Sequence, residues 1–596
     1  MLLFVERILP ENDVNQAMKL IEAFEIIRKP VPMDAQRLSV GLVCGFTALH
    51  LKTLLTAHLR LLAPDRQIEI KTGLYGDFLG NMNRLESLDC DVGVIVLEWT
   101  DLDPRLGFRS LGSWAPSSFP DILENIRCNC AQIEHGIQKL SKDLPLIFCA
   151  PTLPLPPITT TSVRECGAFE LQIRSLVASL AASVGQTPHA RIVNSLQLDL
   201  RSAPVERFDV DSELVSGFPY KLMHAAVLAE SLSNLLQDPA PKKGIITDLD
   251  DTLWDGILGE VGAEGISWDL DHHSSMHGAY QRLLDALSAS GVLVGVASKN
   301  DASLVDEAFR RKDLLLPPSA AFPIEAHWGP KSDSIARILR TWNVGADSVV
   351  FVDDSAMELA EVKGRFPEIE CLQFPAQSNP AILELLQRLR DLFSKTTILV
   401  EDALRLDSLR RNQANGGTGC DPAGWTEEFI RQAQSELTFS YEMRPPDPRA
   451  LELINKTNQF NLNGKRHTEA SWRRYLKTPG AFLLVVSYKD KFGLLGKIAA
   501  LAGRHESRKL FIDVWVMSCR AFSRRIEHKC LEELFARFDV DEIVLDFTPS
   551  PRNGPFRSFL DEICGPDVAP GCRVYKERLF SKQSNTLNGV QGTVNG

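Results

Sequence analysis

The sequence predicts a multidomain α/β protein built on parallel β-sheets, and three observations support this fold class. The chain has 596 residues, which is more than one hydrophobic core usually organises. From Ser39 onward, short apolar runs alternate with amphipathic stretches of helix length, as in parallel βαβ units. Polar breaks rich in proline or glycine interrupt this pattern at Asp238–Gly244 and Arg411–Cys420. We therefore expect three folded domains.

The domain order follows from where the predicted strands and breaks fall. Apolar residues at near-helical spacing, including Val14, Met18 and Ile21, indicate a helical cap before the first strand. The predicted strands are Ser39–Cys44, Val92–Leu97, Pro145–Cys149, Ala190–Val193, Gly244–Thr247, Val292–Ala297, Ser348–Val352, Ala481–Tyr488 and Lys509–Met517. The expected segments are a helical cap over 1–38, an α/β domain over 39–236, a second α/β domain over 243–408, an α+β domain over 421–580 and a disordered tail over 581–596.

Composition narrows the class of protein. Hydrophobic residues make up 44% of the chain and charged residues 24%, as in ordinary globular proteins. A formal net charge of −12 argues against a nucleic-acid partner. The sequence shows neither a secretory signal nor an apolar run long enough to span a bilayer, so we expect a soluble, cytoplasmic protein without a membrane partner. Its 12 cysteines are scattered, and we expect reduced thiols.

Three predicted strands of the central domain end at residues that are suited to chemistry. The first runs directly into the acidic segment Asp248–Thr252, the second into Ser298 and Asn300, and the third into Asp353 and Asp354. Carboxylates clustered at the end of a buried strand repel one another, and they persist where a cation or a reaction uses them. Because ligands bind outside the carboxyl ends of parallel strands, we expect these residues to converge at one edge of the sheet.

This set of side chains meets the needs of phosphoryl transfer through an aspartyl-phosphate. Asp248 is the predicted nucleophile, and Asp250 is the predicted general acid and base, a role worth about 10²- to 10⁴-fold in rate. Ser298 and Lys331, which begins a predicted helix, would hold the phosphoryl oxygens. Mg²⁺ is the expected cofactor. Its predicted ligands are the carboxylates of Asp248 and Asp353, the backbone carbonyl of Asp250 and, as a further candidate, Asp354.

A lone aspartate after a strand commonly caps a helix or closes a turn, but the ordered set favours catalysis. The order of Asp-x-Asp-x-Thr, then Ser, Lys and Asp-Asp resembles the haloacid dehalogenase superfamily. The flanking segments are similar to those of the FkbH-like family, and they are Thr247–Glu260, Ala297–Asp301, Val350–Asp354, Ile454–Leu462 and Ser518–Arg520. One departure lies at Ser355-Ala356, where that family usually has Asn-Pro.

The resemblance implies a reaction and a partner. Better-known members of the FkbH-like family take a glyceryl unit from 1,3-bisphosphoglycerate, remove phosphate, and place a glyceryl thioester on an acyl carrier protein for polyketide and related pathways. The expected partners are therefore a phosphorylated small-molecule acyl donor and an acyl carrier protein with its phosphopantetheine arm. We assign substrate contacts to Thr252, Asn300 and Arg520. Cys519 is a hypothetical acyl-enzyme thiol, with a buried structural cysteine as the alternative.

The outer domains carry weaker similarities. The N-terminal α/β domain resembles SGNH hydrolases but has Cys44–Thr47 where those enzymes need a Gly-Asp-Ser turn, so we expect no catalysis there. The C-terminal domain resembles GNAT acyltransferases, yet Arg520–Ile526 lacks the glycines of their coenzyme A turn. A basic cluster would suit docking of an acidic carrier protein, with a solvated helix face as the alternative; it comprises Arg520, Arg524, Arg525, His528 and Lys529.

Two other functions stay open at this point. The first is a magnesium-dependent phosphomonoesterase that acts on another substrate, including a macromolecular one, with the outer domains as adaptors. The second is a noncatalytic assembly protein, against which the intact set of motif residues argues.

Overall fold

The computed structural model describes residues 11–32, 35–109, 115–157, 161–162, 164–236, 242–395, 435–441, 447–457, 460–490, 493–518, 521, 524–550, 553–565, 571–577 and 590–595. These form two compact units. One contains the described residues up to 239 together with 468–473, and the other contains those of 240–467 and 474 onward. The predicted α/β class with parallel-sheet cores is confirmed.

The first unit is built on a five-stranded parallel sheet. Its strands are β1 (Gln36–Val43), β2 (Arg66–Thr72), β3 (Val92–Val96), β4 (Leu146–Cys149) and β5 (Ala190–Ile192). Their order is β2-β1-β3-β4-β5. Successive strands are therefore added first on one side of β1 and then on the other, and the switch in strand order lies between β1 and β3. Helices connect the strands, at Glu11–Arg28, Leu49–Leu62, Phe78–Leu85, Trp99–Leu102, Phe119–Leu140, Ala168–Gln186, Ser195–Arg201, Val210–Ser216 and Leu222–Leu236.

The predicted cap over 1–38 is wrong in its boundary. Strand β1 begins at Gln36, so residues 36–38 belong to the sheet. The helix Glu11–Arg28 packs against the helix Leu49–Leu62, and its Ala23 is buried in the core of the first unit. The cap therefore shares the hydrophobic core of the domain that follows it, because its apolar face needs a partner surface.

A second parallel sheet carries the three motif strands. It consists of β6 (Gly244–Thr247), β7 (Leu293–Ser298), β8 (Ala321–Ala326), β9 (Val349–Asp353) and β10 (Glu370–Gln373). The order is β10-β9-β6-β7-β8, which places the first motif strand between the other two. The helices of this part are Leu258–Gly265, Ser275–Ala289, Ala302–Ala308, Lys331–Trp342, Ala356–Arg365 and Asn379–Phe393.

The C-terminal part contains a mixed sheet of eight strands. These are β11 (Ser435–Ser440), β12 (Phe460–Asn461), β13 (Ala481–Asp490), β14 (Gly493–Glu506), β15 (Lys509–Met517), β16 (Glu542–Leu545), β17 (Cys572–Tyr575) and β18 (Val590–Asn595). The order is β17-β16-β15-β14-β13-β11-β18, with β12 paired to β15. Helices lie at Pro448–Lys456, Glu469–Leu476, Ile526–Phe538 and Gly554–Cys564.

The predicted disordered tail is wrong for residues 590–595. They form β18, which pairs in parallel with β11 along its full length. The edge of a sheet presents unpaired N–H and C=O groups, which an added strand satisfies whatever its side chains are. The polar, glycine-containing sequence of residues 590–595 therefore does not by itself predict this strand pairing. The predicted limits at 408 and 421 lie outside the described residues.

Two glycines allow a tryptophan to lie against the second sheet. Trp342 is buried, and its indole N–H donates to the carbonyl of Phe322 at 2.7 Å. A Cβ atom on Gly244 would lie 2.6 Å from the Trp342 ring, and one on Gly295 would lie 2.8 Å from it. Both distances are shorter than a normal van der Waals contact between carbon atoms. The helix Lys331–Trp342 can therefore approach β6 and β7 closely, which fixes the position of its first residue, Lys331.

We predict that Gly295→Ala destabilises the second sheet by about 1–3 kcal/mol, because the added methyl group overlaps the Trp342 ring. The matched control is Gly364→Ala, which sits in the helix Ala356–Arg365 with no atom within 4 Å of the new Cβ. There the change should be neutral or stabilising, since alanine favours helix by up to ~1 kcal/mol. Urea unfolding followed by tryptophan fluorescence measures both, and equal effects would contradict the packing argument.

Candidate active site

Strand register brings the acidic motifs together at the carboxyl edge of the second sheet. Thr247, the last residue of β6, pairs with Val352 of β9 and with Val296 of β7. The residue that follows β6, Asp248, is therefore level with Asp353 on the neighbouring strand. The backbone N–H of Asp248 donates to the carbonyl of Val352 at 2.9 Å, which continues the ladder to the edge.

Lys331 joins the two aspartates. Its Nζ lies 2.8 Å from Oδ2 of Asp248 and 2.5 Å from Oδ2 of Asp353. All three side chains are buried. A buried ion pair needs such close geometry because the charges have lost their hydration. The structure thus brings together the predicted nucleophile, the predicted phosphate-binding lysine and a predicted metal ligand.

The electrostatics of this group are dominated by burial and mutual repulsion. Burial raises the pKa of Asp248, and the charge of Lys331 opposes that rise. Burial and the charge of Asp248 raise the pKa of Asp353 in the same way. Burial would lower the pKa of Lys331, but the charges of Asp248 and Asp353 outweigh it and raise that pKa. One ammonium group therefore compensates only part of the negative charge.

The same carboxylates fit a divalent cation. Asp248, Asp353 and Asp354 can each offer one oxygen, and these three oxygens lie within 4.8 Å of one another. Oδ1 of Asp248 is buried and accepts no hydrogen bond from the part of the chain that the structure describes. Burial, followed by the charge of Asp248, also raises the pKa of Asp354. An all-oxygen donor set with excess negative charge is what Mg²⁺ prefers.

Asp250 is held by three N–H donors and lies outside this carboxylate group. Its Oδ1 accepts from the indole of Trp254 at 3.0 Å and from the backbone of Leu258 at 3.1 Å. Its Oδ2 accepts from the side chain of Asn300 at 3.0 Å. This agrees with a general acid and base whose carboxyl group is oriented separately from the metal ligands. Trp254 was not among the predicted site residues, although its position four residues after Asp250 is a usable signal.

Asn300, a predicted substrate contact, is hydrogen-bonded to two other predicted site residues. It is buried, and its Nδ2 donates to Asp250 and, at 3.1 Å, to Oγ of Ser298. The side chain therefore connects the predicted general acid, Asp250, with the predicted phosphate-binding serine. A polar residue two positions after a strand can face either the cleft or its neighbours, and only the pairing of β6 with β7 brings Asp250 within its reach.

Thr252, also a predicted substrate contact, connects two loops of the site. Its side chain is fully buried, and its Oγ1 accepts the backbone N–H of Asp354 at 3.1 Å. It thus ties the loop after β6 to the loop after β9. In the loop after β6, Asp251 adopts a left-handed backbone conformation with φ of 49°. Its Oδ1 accepts the backbone N–H of Gly256 at 3.0 Å. Aspartate tolerates this conformation better than most side chains, and it lets the loop turn sharply.

The two predicted residues of the acyl-transfer chemistry, Cys519 and Arg520, lie outside the described residues. The prediction of an exposed basic cluster around them is wrong for two members. Arg524 is 5% exposed and His528 is 6% exposed. The guanidinium of Arg524 stands over the Tyr488 ring at 5.3 Å. These side chains pack into the C-terminal sheet, so they do not offer a solvent-facing docking surface.

Comparison with known proteins supports the fold. No known protein family and no curated protein matches the sequence. A crystal structure of the N-terminal part of the protein BF1531 from Bacteroides fragilis, containing a phosphatase domain complexed with Mg, aligns with a TM-score of 0.50 at 20% identity. The alignment covers 63% of this chain and 99% of that one. Over the aligned region, this chain shares the fold of the BF1531 fragment.

Two further solved structures align with TM-scores below 0.5. A diltiazem-metabolizing enzyme of gut microbes, BT4096, aligns with a TM-score of 0.22 at 12% identity, over 36% of this chain and 50% of that one. The calicheamicin glycosyltransferase CalG4 aligns with a TM-score of 0.13 at 13% identity, over 65% of this chain and 96% of that one. Within the described residues, no helix is long and apolar enough to cross a membrane.

We predict that Mg²⁺ stabilises the protein against unfolding, by about 2.7 kcal/mol at 100 times its dissociation constant, because it binds only the folded carboxylate group. Asp354→Asn should remove most of this gain. The control is Asp301→Asn, an exposed residue whose Oδ1 accepts the indole N–H of Trp328 and which lies outside the carboxylate group. Thermal unfolding with and without Mg²⁺ is the measurement. Equal stabilisation of both variants would argue against Asp354 as a ligand.

Proposed function

We propose that this protein is a magnesium-dependent phosphoryl-transfer enzyme of the haloacid dehalogenase type. The observation that carries the proposal is the carboxyl edge of the second sheet, where one oxygen of Asp248 is paired with Lys331 and the other accepts no hydrogen bond within standard geometric limits from the described residues. A nucleophilic carboxylate needs this arrangement, with one oxygen anchored and one available. Asp250 lies two residues away and is oriented by its own donors.

In the proposed reaction, Oδ1 of Asp248 attacks phosphorus, and the bond between phosphorus and the leaving oxygen breaks. Asp250 gives that oxygen a proton. The resulting aspartyl-phosphate is attacked by water, from which Asp250 takes a proton, and phosphate departs with Asp248 restored. Ser298 and Lys331 orient the phosphoryl oxygens during both steps. Mg²⁺ held by Asp248, Asp353 and Asp354 would screen the repulsion between the nucleophile and an anionic substrate.

We further propose that the phosphorylated substrate is an acyl donor of the 1,3-bisphosphoglycerate type and that the acyl unit is delivered to an acyl carrier protein. A thiol attacks the carbonyl carbon of the donor, the bond to the acyl phosphate breaks, and inorganic phosphate leaves. The Asp248 site removes the other, ester-bound phosphate. The sequence resemblance to the FkbH-like family is the main support. A second support is the openness of the site. Between β6 and β7 the described chain holds only the helices Leu258–Gly265 and Ser275–Ala289, and between β7 and β8 only Ala302–Ala308. Neither interval contains a folded cap domain, which leaves access for a phosphopantetheine arm.

A side chain at the mouth of the site also suits an arm-like substrate. Trp328 is 69% exposed, although its indole N–H donates to Asp301 at 3.0 Å. It follows β8 and precedes Lys331 by three residues, while Asp301 follows β7. The hydrogen bond holds a flat apolar surface beside the entrance, where it would contact the uncharged part of a long substrate.

The second candidate is a magnesium-dependent phosphomonoesterase that acts on another substrate, including a macromolecular one. It is favoured because each catalytic residue that we propose within the described part of the chain is assigned to phosphoryl transfer. The residues proposed for acyl transfer, Cys519 and Arg520, stay predictions.

We predict that Asp248→Asn lowers phosphate release from a phosphomonoester or acyl phosphate by at least about 10³-fold, because the amide cannot form the covalent intermediate. Steady-state phosphate release in the presence of Mg²⁺ measures this. The control is Asp285→Asn, the same substitution on the helix Ser275–Ala289, which should keep the rate within about twofold. Full phosphate release by Asp248→Asn would refute the proposed chemistry.

Mass spectrometry of a carrier protein separates the two candidates. The protein is incubated with Mg²⁺, 1,3-bisphosphoglycerate and a holo acyl carrier protein, and the carrier is then weighed. We expect a glyceryl adduct on the holo form and none on the apo form, which lacks the thiol that accepts the acyl group. Phosphate release without an adduct would reject the carrier proposal and favour the phosphomonoesterase.

A further inference from the structure

The helix Ser275–Ala289 presents a buried polar face to the segment that contains the predicted nucleophile. His277, Tyr280 and Gln281 are buried and lie three and four positions apart, which places them on the same side of the helix. Buried polar side chains need hydrogen-bond partners. All three have a partner within the segment Thr247–Leu253, at the carboxyl edge of the second sheet. The polar face is therefore in direct contact with the candidate active site.

Tyr280 reaches the backbone of the nucleophile through one threonine. Its hydroxyl donates to Oγ1 of Thr247 at 3.1 Å, and that Oγ1 donates to the carbonyl of Asp248 at 2.8 Å. A hydroxyl group can accept one hydrogen bond while it donates another, so the two bonds form a continuous chain. The Tyr280 ring also contacts Phe374, with ring centroids 5.2 Å apart. Asp248 is therefore held at its N–H by β9 and at its carbonyl by the helix.

His277 holds the other end of this segment. Its Nδ1 lies 3.0 Å from the carbonyl oxygen of Thr252. Because a carbonyl oxygen only accepts, Nδ1 carries the proton of this bond. Oγ1 of Thr252 accepts the backbone N–H of Asp354 at 3.1 Å. Thr252 is therefore fixed at its carbonyl by the helix and at its hydroxyl by the loop of a predicted metal ligand.

Gln281 fixes the helix relative to the segment. Its Nε2 donates to the carbonyl of Leu253 at 2.9 Å, and its Oε1 accepts the backbone N–H of Leu315 at 2.9 Å. Leu315 lies before β8, so the side chain connects the loop after β6 with a second part of the fold. This connection keeps His277 and Tyr280 in register with their partners.

The three contacts orient the segment without changing its charge. Each hydrogen bond from the helix ends on a backbone carbonyl or on a threonine hydroxyl. The carboxylates keep their negative charge for a cation and for nucleophilic attack. Position matters in such a site, because a misplacement of about 1 Å can cost about 10²-fold in rate.

We propose that Tyr280 and His277 are positioning residues of the candidate active site. Tyr280 orients the nucleophile Asp248, and His277 orients the metal ligand Asp354, each through the threonine that lies between them. The proposal rests on the phosphoryl-transfer function proposed above. Because the two chains of hydrogen bonds end on different residues, their loss should change different properties, the turnover number for Tyr280 and the Mg²⁺ affinity for His277.

Tyr280→Phe removes one hydroxyl group and keeps the ring. We expect kcat for phosphate release to fall about five- to tenfold with KM within about twofold, because substrate still binds while the nucleophile loses its alignment. The control is Ser288→Ala on the same helix, whose hydroxyl donates to the carbonyl of Ala320 at 3.2 Å. It should leave kcat within about twofold. An unchanged kcat of Tyr280→Phe, or an equal loss in the control, would overturn the role of Tyr280.

His277→Leu should weaken Mg²⁺ binding about tenfold, because the support of a metal ligand is lost. His277→Asn keeps an N–H donor near the position of Nδ1 and should stay within about threefold of the unsubstituted protein. Thr252→Val breaks the same chain at its next bond and should match His277→Leu. Isothermal titration calorimetry of the metal-free full chain with MgCl₂ measures all three, after circular dichroism has confirmed that each variant is folded.

Unchanged Mg²⁺ affinity in His277→Leu or in Thr252→Val would overturn the role of His277, and so would an equal loss in His277→Asn. This titration needs no turnover, which separates the positioning proposal from the proposed function. Absence of phosphate release by the unsubstituted protein would refute the function, and the titration would still decide the role of His277. Phosphate release by the unsubstituted protein, with variants that behave like their controls, would refute the positioning proposal alone.

Discussion

The central constraint on the candidate active site is the placement of one buried ammonium group between two buried carboxylates. Nζ of Lys331 lies 2.8 Å from Oδ2 of Asp248 and 2.5 Å from Oδ2 of Asp353, and all three side chains are buried. Such a group is stable only if its geometry is held by the surrounding fold. Three elements hold it: the register of β6 with β9, the close approach of the helix Lys331–Trp342 to two glycines, and the loop ties that follow the strands.

These loop ties are neutral hydrogen bonds rather than charges. Thr252 connects the loop after β6 with the loop after β9, and Asn300 connects β7 with the carboxyl group of Asp250. Neutral ties suit this role because they orient the carboxylates without compensating their charge. The negative charge that is left over is then available to a divalent cation and to the nucleophile. The residues proposed for catalysis and the residues that hold them in place are therefore different side chains at the same edge of the sheet.

The two parallel sheets use the same architectural position for different chemistry. In the second sheet, the carboxyl edge concentrates charge around Asp248 and Lys331. In the first sheet, the corresponding edge is aromatic, and its one guanidinium is paired with Glu213. Strand topology determines where a cleft forms, whereas the residues after each strand determine what the cleft binds. A buried carboxylate–lysine group and a partly aromatic cavity around Asp101 are thus built on similar scaffolds within one chain.

The sequence alone determined the α/β class and the order of the motif residues, because both are local properties. A short apolar run followed by carboxylates can be recognised in the sequence without knowing which strands lie beside it. The edge strand β2 was not predicted, since it is exposed on one face and its apolar residues only alternate. The limits of the cap and the pairing of β18 also depend on surfaces that lie far away in the sequence.

Only the tertiary structure decided which way each motif side chain turns. Thr252 and Asp354 are 102 residues apart, and Asn300 and Asp250 are 50 apart, so no local pattern could show that these side chains contact one another. The same holds for the buried Arg524 and for the cavity around Asp101, whose walls come from segments that follow all five strands of the first sheet. Strand ends indicate where chemistry is possible. Packing decides which residues perform it and which ones hold the others in place, because hydrogen bonds and charge compensation act through space rather than along the chain.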